Sequence, residues 1–408
     1  MSSLAEAPRI LKATHGQTRS FNSRLVLRTI YDQGPISRAE IARATSLTRT
    51  SVSDLVAELL EQSLVEESVR GESTGGKPPI LVRFVDDARL IVAVDVAETE
   101  LRGALVDLRG DVRRHDVRPT DGMDGPATLD LLHDLLDDLI ESADRKVLGI
   151  GIATPGLVDP AGDTVRRSVH LDWRDLPLGP RLRDRYGLPT HVVNDSHASA
   201  LAEYMYGPHP HDANLVVVRA GRGIGAGLIL GGQLFPGDGG GAGEIGHTTV
   251  AAAGDEPCRC GRSGCLETIA GSRGVLERVR RDVAARVTPG LAAFAHEPER
   301  LDLAELRALA DRGDAVAAGH ITSAGRALGA SLASLIGALD VERIVLVGPM
   351  TGLGERWLDA VRDEATSDAL PALATRARIV AAAPQPDLVV LGASALLLTR
   401  ELGLSLAR

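Results

Sequence analysis

The chain has 408 residues, enough for two or three domains, and its 44% hydrophobic content suits a globular protein with sizeable cores. Aromatics make up only 2%, so those cores must be built from Leu, Val, Ile and Ala, and no apolar run approaches the roughly 18 residues that span a membrane. A net charge of −10 excludes a protein that binds nucleic acid along its whole surface. The charge is uneven, however. Residues 1–55 hold eight Lys/Arg against four Asp/Glu, a balance of +4, which leaves −14 on the remainder. A small basic head on an acidic body is the distribution expected where only the head meets phosphate.

Residues 1–14 lack the apolar core of a signal peptide and read as a disordered leader. A winged helix-turn-helix is expected over residues 15–85. Asn22 to Tyr31 reads as a helix with Leu25, Val26 and Ile30 on one side, and Gly34-Pro35 stops it. Ser37 then caps a second helix, with Glu40 in capping-box spacing. Thr45-Ser46-Leu47 turns the chain. Thr48 caps a third helix, Arg49 to Gln62, whose buried face is Val52, Leu55, Val56, Leu59 and Leu60. Short hydroxyl donors at the start of such a helix suit close approach to base edges and phosphates. The candidate DNA contacts are Ser37, Thr48, Arg49, Thr50, Ser51 and Ser53, with Lys77 in a basic loop between two wing strands. A protein-docking module is the alternative for these three helices.

From Leu90 strands alternate with helices, the texture of an α/β fold. Leu90 to Val96 and Val147 to Ile152 read as buried strands, and Leu129 to Ile140 as an amphipathic helix. Strand His191 to Val193 leads into Asn194-Asp195 and a helix to Tyr206. A carboxylate at that junction can accept a hydrogen bond from a substrate hydroxyl, or take its proton as general base. A similar strand, turn, strand texture recurs at Leu215 to Leu230, which suggests a duplicated fold.

All three cysteines of the chain fall within eight residues, Cys258, Cys260 and Cys265, and ten residues separate His247 from the first of them. A Cys3His set is a normal shell for a structural zinc, closed to chemistry of its own. Clustered thiols also fit a reducing cytoplasm better than a disulfide scaffold. Gly243-Glu244-Ile245-Gly246-His247 followed by Cys258-Arg259-Cys260-Gly261-Arg262-Ser263-Gly264-Cys265-Leu266-Glu267 resembles the signature of the ROK family, which contains sugar-responsive repressors and sugar kinases.

The resemblance implies two actin-like, RNase H-like lobes: residues 86–195 with 385–408, and residues 196–384 with the zinc loop 244–267 and oligomerisation helices. The segments Ile36 to Ala42 and Leu47 to Ser53 likewise resemble the winged heads of ROK-type repressors. It carries sugar binding to Asn194, Asp195, Glu244, His247 and Glu267, and makes Asp195 the catalytic base wherever kinase activity is retained. Ala153-Thr154-Pro155-Gly156 matches the family's loop beside the sugar.

Kinases of the family hold ATP phosphates with an Asp-x-Gly-x-Thr turn, which here reads Asp95-Val96-Ala97-Glu98-Thr99-Glu100. Ala97 crowds the backbone, and Glu98 and Glu100 are expected to place negative charge where a polyanion should lie. In the second glycine-rich turn Arg222 stands where kinases carry a small hydroxyl residue, and Pro349 departs from a third. ATP is therefore not expected as a cofactor, whereas Zn2+ is. The reading is a cytoplasmic repressor, a homodimer or homotetramer on an inverted-repeat operator, answering to a sugar or sugar phosphate, with no membrane partner. The alternative is an ATP-dependent sugar kinase carrying a DNA-binding head.

Overall fold

A computed structural model describes residues 15–70, 78–120, 122–208 and 213–404. The expectation for residues 1–14 and the position of Lys77 lie outside them. The described chain forms two units. The N-terminal one holds residues 15–70 and 78–89 with 107–109 and 398–404, and the body holds the other described residues.

In the N-terminal unit α1 (His15–Gln33), β1 (Ile36–Ser37), α2 (Arg38–Thr45), α3 (Arg49–Glu61), β2 (Val65–Arg70) and β3 (Ile80–Phe84) follow one another. The strands form an antiparallel sheet in the order β1-β3-β2, which is the wing. Local chemistry sets each boundary. Ser37 Oγ accepts from the Glu40 N–H, and Glu40 accepts the Ser37 N–H at 2.9 Å, which closes a capping box. Ser46 ends α2 in the left-handed region at φ 57, and Thr48 caps α3 by accepting from Ser51 N at 3.2 Å. Val26, Ile30, Ile41, Val52, Val56 and Val82 are fully buried between the helices and the wing. Helix α1 begins at His15, earlier than the apolar stripe predicts, because an Arg19–Glu58 ion pair to α3 supports a first stretch with no apolar face.

Two short segments belong to this unit and not to the first lobe, where their sequence positions put them. Arg109 lies 3.7 Å from the Tyr31 ring centroid and donates to the Tyr31 carbonyl and to Asp86, each at 2.8 Å. Arg24 donates to the Arg400 carbonyl at 3.4 Å.

The body contains two five-stranded sheets of one topology. The first is built from β4 (Leu90–Val96), β5 (Glu100–Asp107), β6 (Val112–Pro119), β7 (Val147–Thr154) and, after the small sheet of β8 (Leu157–Val158), β9 (Val165–Ser168) and β10 (Trp173–Leu176), from β11 (Thr190–Asn194). The second uses β12 (Leu215–Ala220), β13 (Ile224–Leu230), β14 (Gln233–Leu234), β15 (Arg343–Val347) and β16 (Arg378–Ala381). Their orders, β6-β5-β4-β7-β11 and β14-β13-β12-β15-β16, run third, second, first, fourth, fifth in both. The first, fourth and fifth strands of each series are parallel, and β4, β12 and β15 among them read as near-continuous apolar runs because both faces are covered.

Helix α4 (Gly125–Glu141) covers the first sheet with Leu132, Leu135, Leu136 and Leu139. Helix α5 (Leu178–Tyr186) leads into β11, and α6 (Asp195–Tyr206) leads out of it. In the second lobe, Gly325 and Gly329 lie one turn apart on helix Ala315–Leu339. They let it approach the backbone of helix Glu355–Asp368, where Trp357 and Val361 are fully buried. Among the described residues no helix is long and apolar enough to cross a membrane.

Helix Leu388–Leu397 is buried at every position and lies against α6. The contact depends on Gly392, where an added Cβ would fall 1.8 Å from the Ala198 carbonyl oxygen. Gly392→Ala should therefore destabilise by about 1–3 kcal/mol or more, as overpacking does. At Gly337, also helical, a Cβ would meet nothing within 4 Å, so Gly337→Ala should stabilise by up to about 1 kcal/mol. Thermal melts of the two variants should shift in opposite directions; equal shifts would refute the packing argument.

Candidate metal centre and ligand site

The loop that carries the cysteines is built by glycines that permit close backbone approach. A Cβ at Gly243 would lie 1.9 Å from the Ala226 oxygen, and one at Gly246 would lie 2.1 Å from that of Ile224. The Gly-x-x-Gly spacing thus presses residues 243–247 onto β13 and aims Glu244 and His247 away from it. Further on, Gly261 (φ 92) and Gly264 (φ 76) turn the chain twice, and Cys258 N–H donates to the Arg262 carbonyl at 2.7 Å.

These turns gather His247, Cys258, Cys260 and Cys265, whose ligand atoms all lie within 4.8 Å of one another. Cys258 Sγ is 3.6 Å from His247 Nδ1, and Cys260 Sγ is 3.7 Å from Cys265 Sγ. A tetrahedral ion with metal–sulfur bonds of about 2.3 Å separates its sulfurs by about 3.8 Å, so the set fits one metal ion. His247 turns Nδ1 toward the thiols and Nε2 toward Glu244, 3.8 Å away. Glu267, at the start of helix Glu267–Ala270, lies 3.0 Å from Cys258 Sγ and 3.7 Å from His247 Nδ1. Glu244, His247 and Glu267 therefore stand together. Burial raises the Glu244 carboxyl above its usual range, His247 opposes the rise, and Asp195 and Glu267 add to it.

Asn194 is 6% exposed and works as a clamp. Its Oδ1 caps α6 by accepting from Ser196 N and His197 N at 2.9 and 3.2 Å, while its Nδ2 donates to the Gly156 carbonyl at 2.9 Å. That arrangement fixes Asp195 at the first position of α6. Asp195 Oδ2 is held at 3.0 Å by Arg219 Nη1, from the end of β12. Asp95 completes the group. Burial pushes its carboxyl up to about 7 against the pull of Arg219, with Asp195 adding to the rise. Its Oδ1 is buried with no hydrogen-bond partner among the described residues. Burial works against charge on Arg219, but the two carboxylates keep its pKa above the ordinary value.

The phosphate-turn residues correct one expectation. Glu98 is not an unpaired negative charge. Arg273 Nη2 reaches its carboxylate at 2.5 Å, Arg222 Nε at 2.8 Å and Arg259 Nη1 at 3.3 Å, and His170 Nδ1 stands 3.5 Å away. Glu100 is likewise paired, with Arg102 at 2.7 Å. Three guanidiniums thus face the one carboxylate of Glu98, and they come from parts of the chain that the local motif does not include.

In the head, Thr48, Arg49, Thr50 and Ser53 are exposed and Ser51 is half-buried, so these candidates share one accessible helix start. Ser37 is different. It is 5% exposed and donates its hydroxyl to Glu40 at 2.6 Å, so the cap uses the group that was expected to reach DNA.

Arg219, Arg259, Arg273 and His170 were not singled out from sequence. Two signals in the sequence point to Arg219 and Arg273. Arg219 is a charge ending the apolar run Leu215 to Val218, and Arg273 is a cation in the first turn of helix Ser272–Ala284, where the helix dipole disfavours one.

Residues 91–400 match the model of the ROK family, and residues 19–72 match that of the MarR family. The chain belongs to the ROK family. It is 30% identical over 353 residues to the xylose repressor of Caldicellulosiruptor bescii, covering 86% of this chain and 88% of the repressor. With the glucokinase of Halalkalibacterium halodurans it shares 31% over 317 residues, 77% of this chain and 96% of the kinase. Among solved structures, a ROK family transcriptional regulator homologous to the Escherichia coli MLC protein superposes with a TM-score of 0.83 at 26% identity, covering 95% of this chain and 98% of that one.

Asp95 gives a pH test. The unfolded chain loses this proton near pH 4, whereas the folded ROK body keeps it to about 7, so this group costs stability progressively as pH rises between those values. Asp95→Asn cannot ionise. Its advantage over the wild type in denaturant melts should grow from little near pH 4 to a maximum above pH 7. An offset constant across that range would show that Asp95 does not titrate there.

Proposed function

We propose that this chain is a sugar-responsive transcriptional regulator, acting as a repressor. A winged helix-turn-helix attached to a ROK body carries the reading, because similarity to a xylose repressor extends over 86% of the chain. Arg49, Thr50 and Ser53, with Thr48 and Ser51 at the cap, meet operator DNA. A dimer presents two such helices to an inverted repeat, since two-fold protein symmetry requires two-fold operator symmetry. Glu244, His247, Glu267 and Asp195 receive the sugar, whose hydroxyls both donate and accept. Asn194 supports them by fixing Asp195. The sugar shifts DNA affinity only through its different affinity for the two states of the regulator.

Arg219 argues against the kinase reading. A general base must be free to take a hydroxyl proton, and here a guanidinium 3.0 Å away occupies one of the Asp195 oxygens. The purified protein should release no ADP in a sugar-dependent manner. Release that is abolished by Asp195→Asn would establish the kinase instead.

Zn2+ is the ion we assign to the Cys3His set, as a structural brace for the Glu244–Glu267 loop, and the three thiols suit a reducing cytoplasm. Elemental analysis should find one zinc per chain. Cys260→Ala should lose it together with the sugar response, at a temperature where the wing and both sheets remain folded. Full zinc with full response in that variant would remove Cys260 from the ligand set.

The regulator reading itself is tested by genomic-fragment pull-down at fixed salt, because phosphate contacts weaken steeply as salt rises. A few fragments with inverted repeats should be retained, and one sugar should change their retention. Arg49→Ala should lose the specific fragments. No specific fragment under any condition would refute the reading.

A further inference from the structure

The trio Arg222, Arg259 and Arg273 is out of balance with its partner. Three guanidiniums surround the single carboxylate of Glu98. Burial lowers the pKa of His170, against the pull of Glu98. Glu267 is the next nearest acid, and its field reaches both His170 and Arg273. It is already engaged beside Cys258 and His247. Arg273 Nε is buried with no hydrogen-bond partner among the described residues, so the most enclosed guanidinium still has donor capacity to fill. Arg222 and Arg259 are about half exposed, at 48% and 54%, so the cluster is open to a solute on one side.

Position matters as much as charge. Glu267 belongs to the sugar-binding set, and a Cβ at Gly223, next to Arg222, would fall 2.9 Å from Glu267 Oε2. The arginines therefore adjoin the place where sugar hydroxyls are received. Glu98 comes from the turn between β4 and β5, whereas all three arginines come from the second lobe. An anion from solution that takes those arginines would release that tether between the lobes.

We infer that the arginine trio is the anion subsite of the effector site, that Glu98 is its built-in occupant, and that the effector is an anionic monosaccharide, either a phosphate ester or a sugar acid. This rests on the sugar-responsive reading above and narrows its ligand class. Planar guanidiniums bind carboxylate and phosphate through paired hydrogen bonds, which explains how one internal carboxylate can stand in for either group.

Calorimetric titration of the zinc-loaded full chain at constant ionic strength tests it. The probes are xylose, glucose, glucose 6-phosphate, glucuronate, N-acetylglucosamine, N-acetylglucosamine 6-phosphate, inorganic phosphate and ATP. At least one anionic sugar should bind about tenfold or more tighter than its neutral parent, a ratio typical of one charge-assisted pair. Whether that is the phosphate or the acid identifies the source of the charge. Glu98→Gln, which weakens the competitor, should tighten the anionic sugar severalfold. Arg273→Gln should collapse the anionic-to-neutral ratio toward one. Arg222→Gln and Arg259→Gln, being more exposed, should lower the same ratio if Arg273→Gln fails to fold. A neutral sugar that binds with no anionic preference, or a preference that survives these substitutions, overturns the inference and leaves the sugar-responsive reading standing. Binding of no sugar at all overturns both. ATP binding that depends on the same arginines, with no sugar preference, makes the cluster a nucleotide site and also overturns the inference.

Discussion

A carboxylate withdrawn from water must be given a countercharge or a proton, and the ROK body of this chain is arranged around that constraint. Its parallel strands deliver acidic side chains to their carboxyl ends. Asp195 receives Arg219, Glu98 receives three arginines, and Asp95 retains a proton up to about 7. One of these acids, Asp195, is also among the residues proposed to meet the sugar. Electrostatics that hold the fold together and electrostatics that would read a ligand are therefore one system, and a ligand changes the first by engaging the second.

Most of the architecture was legible in the sequence because its signals are local. Ser37 with Glu40 and Thr48 with Ser51 mark helix starts by side-chain chemistry alone. The Cys3His set is recognisable because three rare residues crowd one loop, and the glycines between them specify its turns. What escaped was long-range. Glu98 and Arg273 are 175 residues apart, so nothing in the local Asp-x-Ala-x-Thr pattern reveals that the glutamate is paired. Arg219 reads as a strand end until β12 is seen beside α6. Ser37 shows the opposite difficulty. Its cap was legible, but the same hydroxyl was also assigned to DNA, and burial leaves it only the first role.

The cysteine loop and the carboxylates at the strand ends divide the work of building the proposed sugar site. Gly243 and Gly246 lay the loop on β13, while the thiols and His247 draw its far end back. Glu244 and Glu267 then flank one imidazole from opposite sides. Asn194 acts as a second brace, tying the start of α6 to Gly156. Both devices fix side chains through backbone geometry, which limits the rotamer freedom that a ligand would otherwise have to quench.

Arg219 also bears on which substitutions the body tolerates. Replacing it alone would leave Asp95 and Asp195 facing each other with no cation between them, and a broken buried ion pair is strongly destabilising. One guanidinium from the second lobe thus serves two acids of the first, and the body tolerates its acidic strand ends only while the lobes stay within reach of each other.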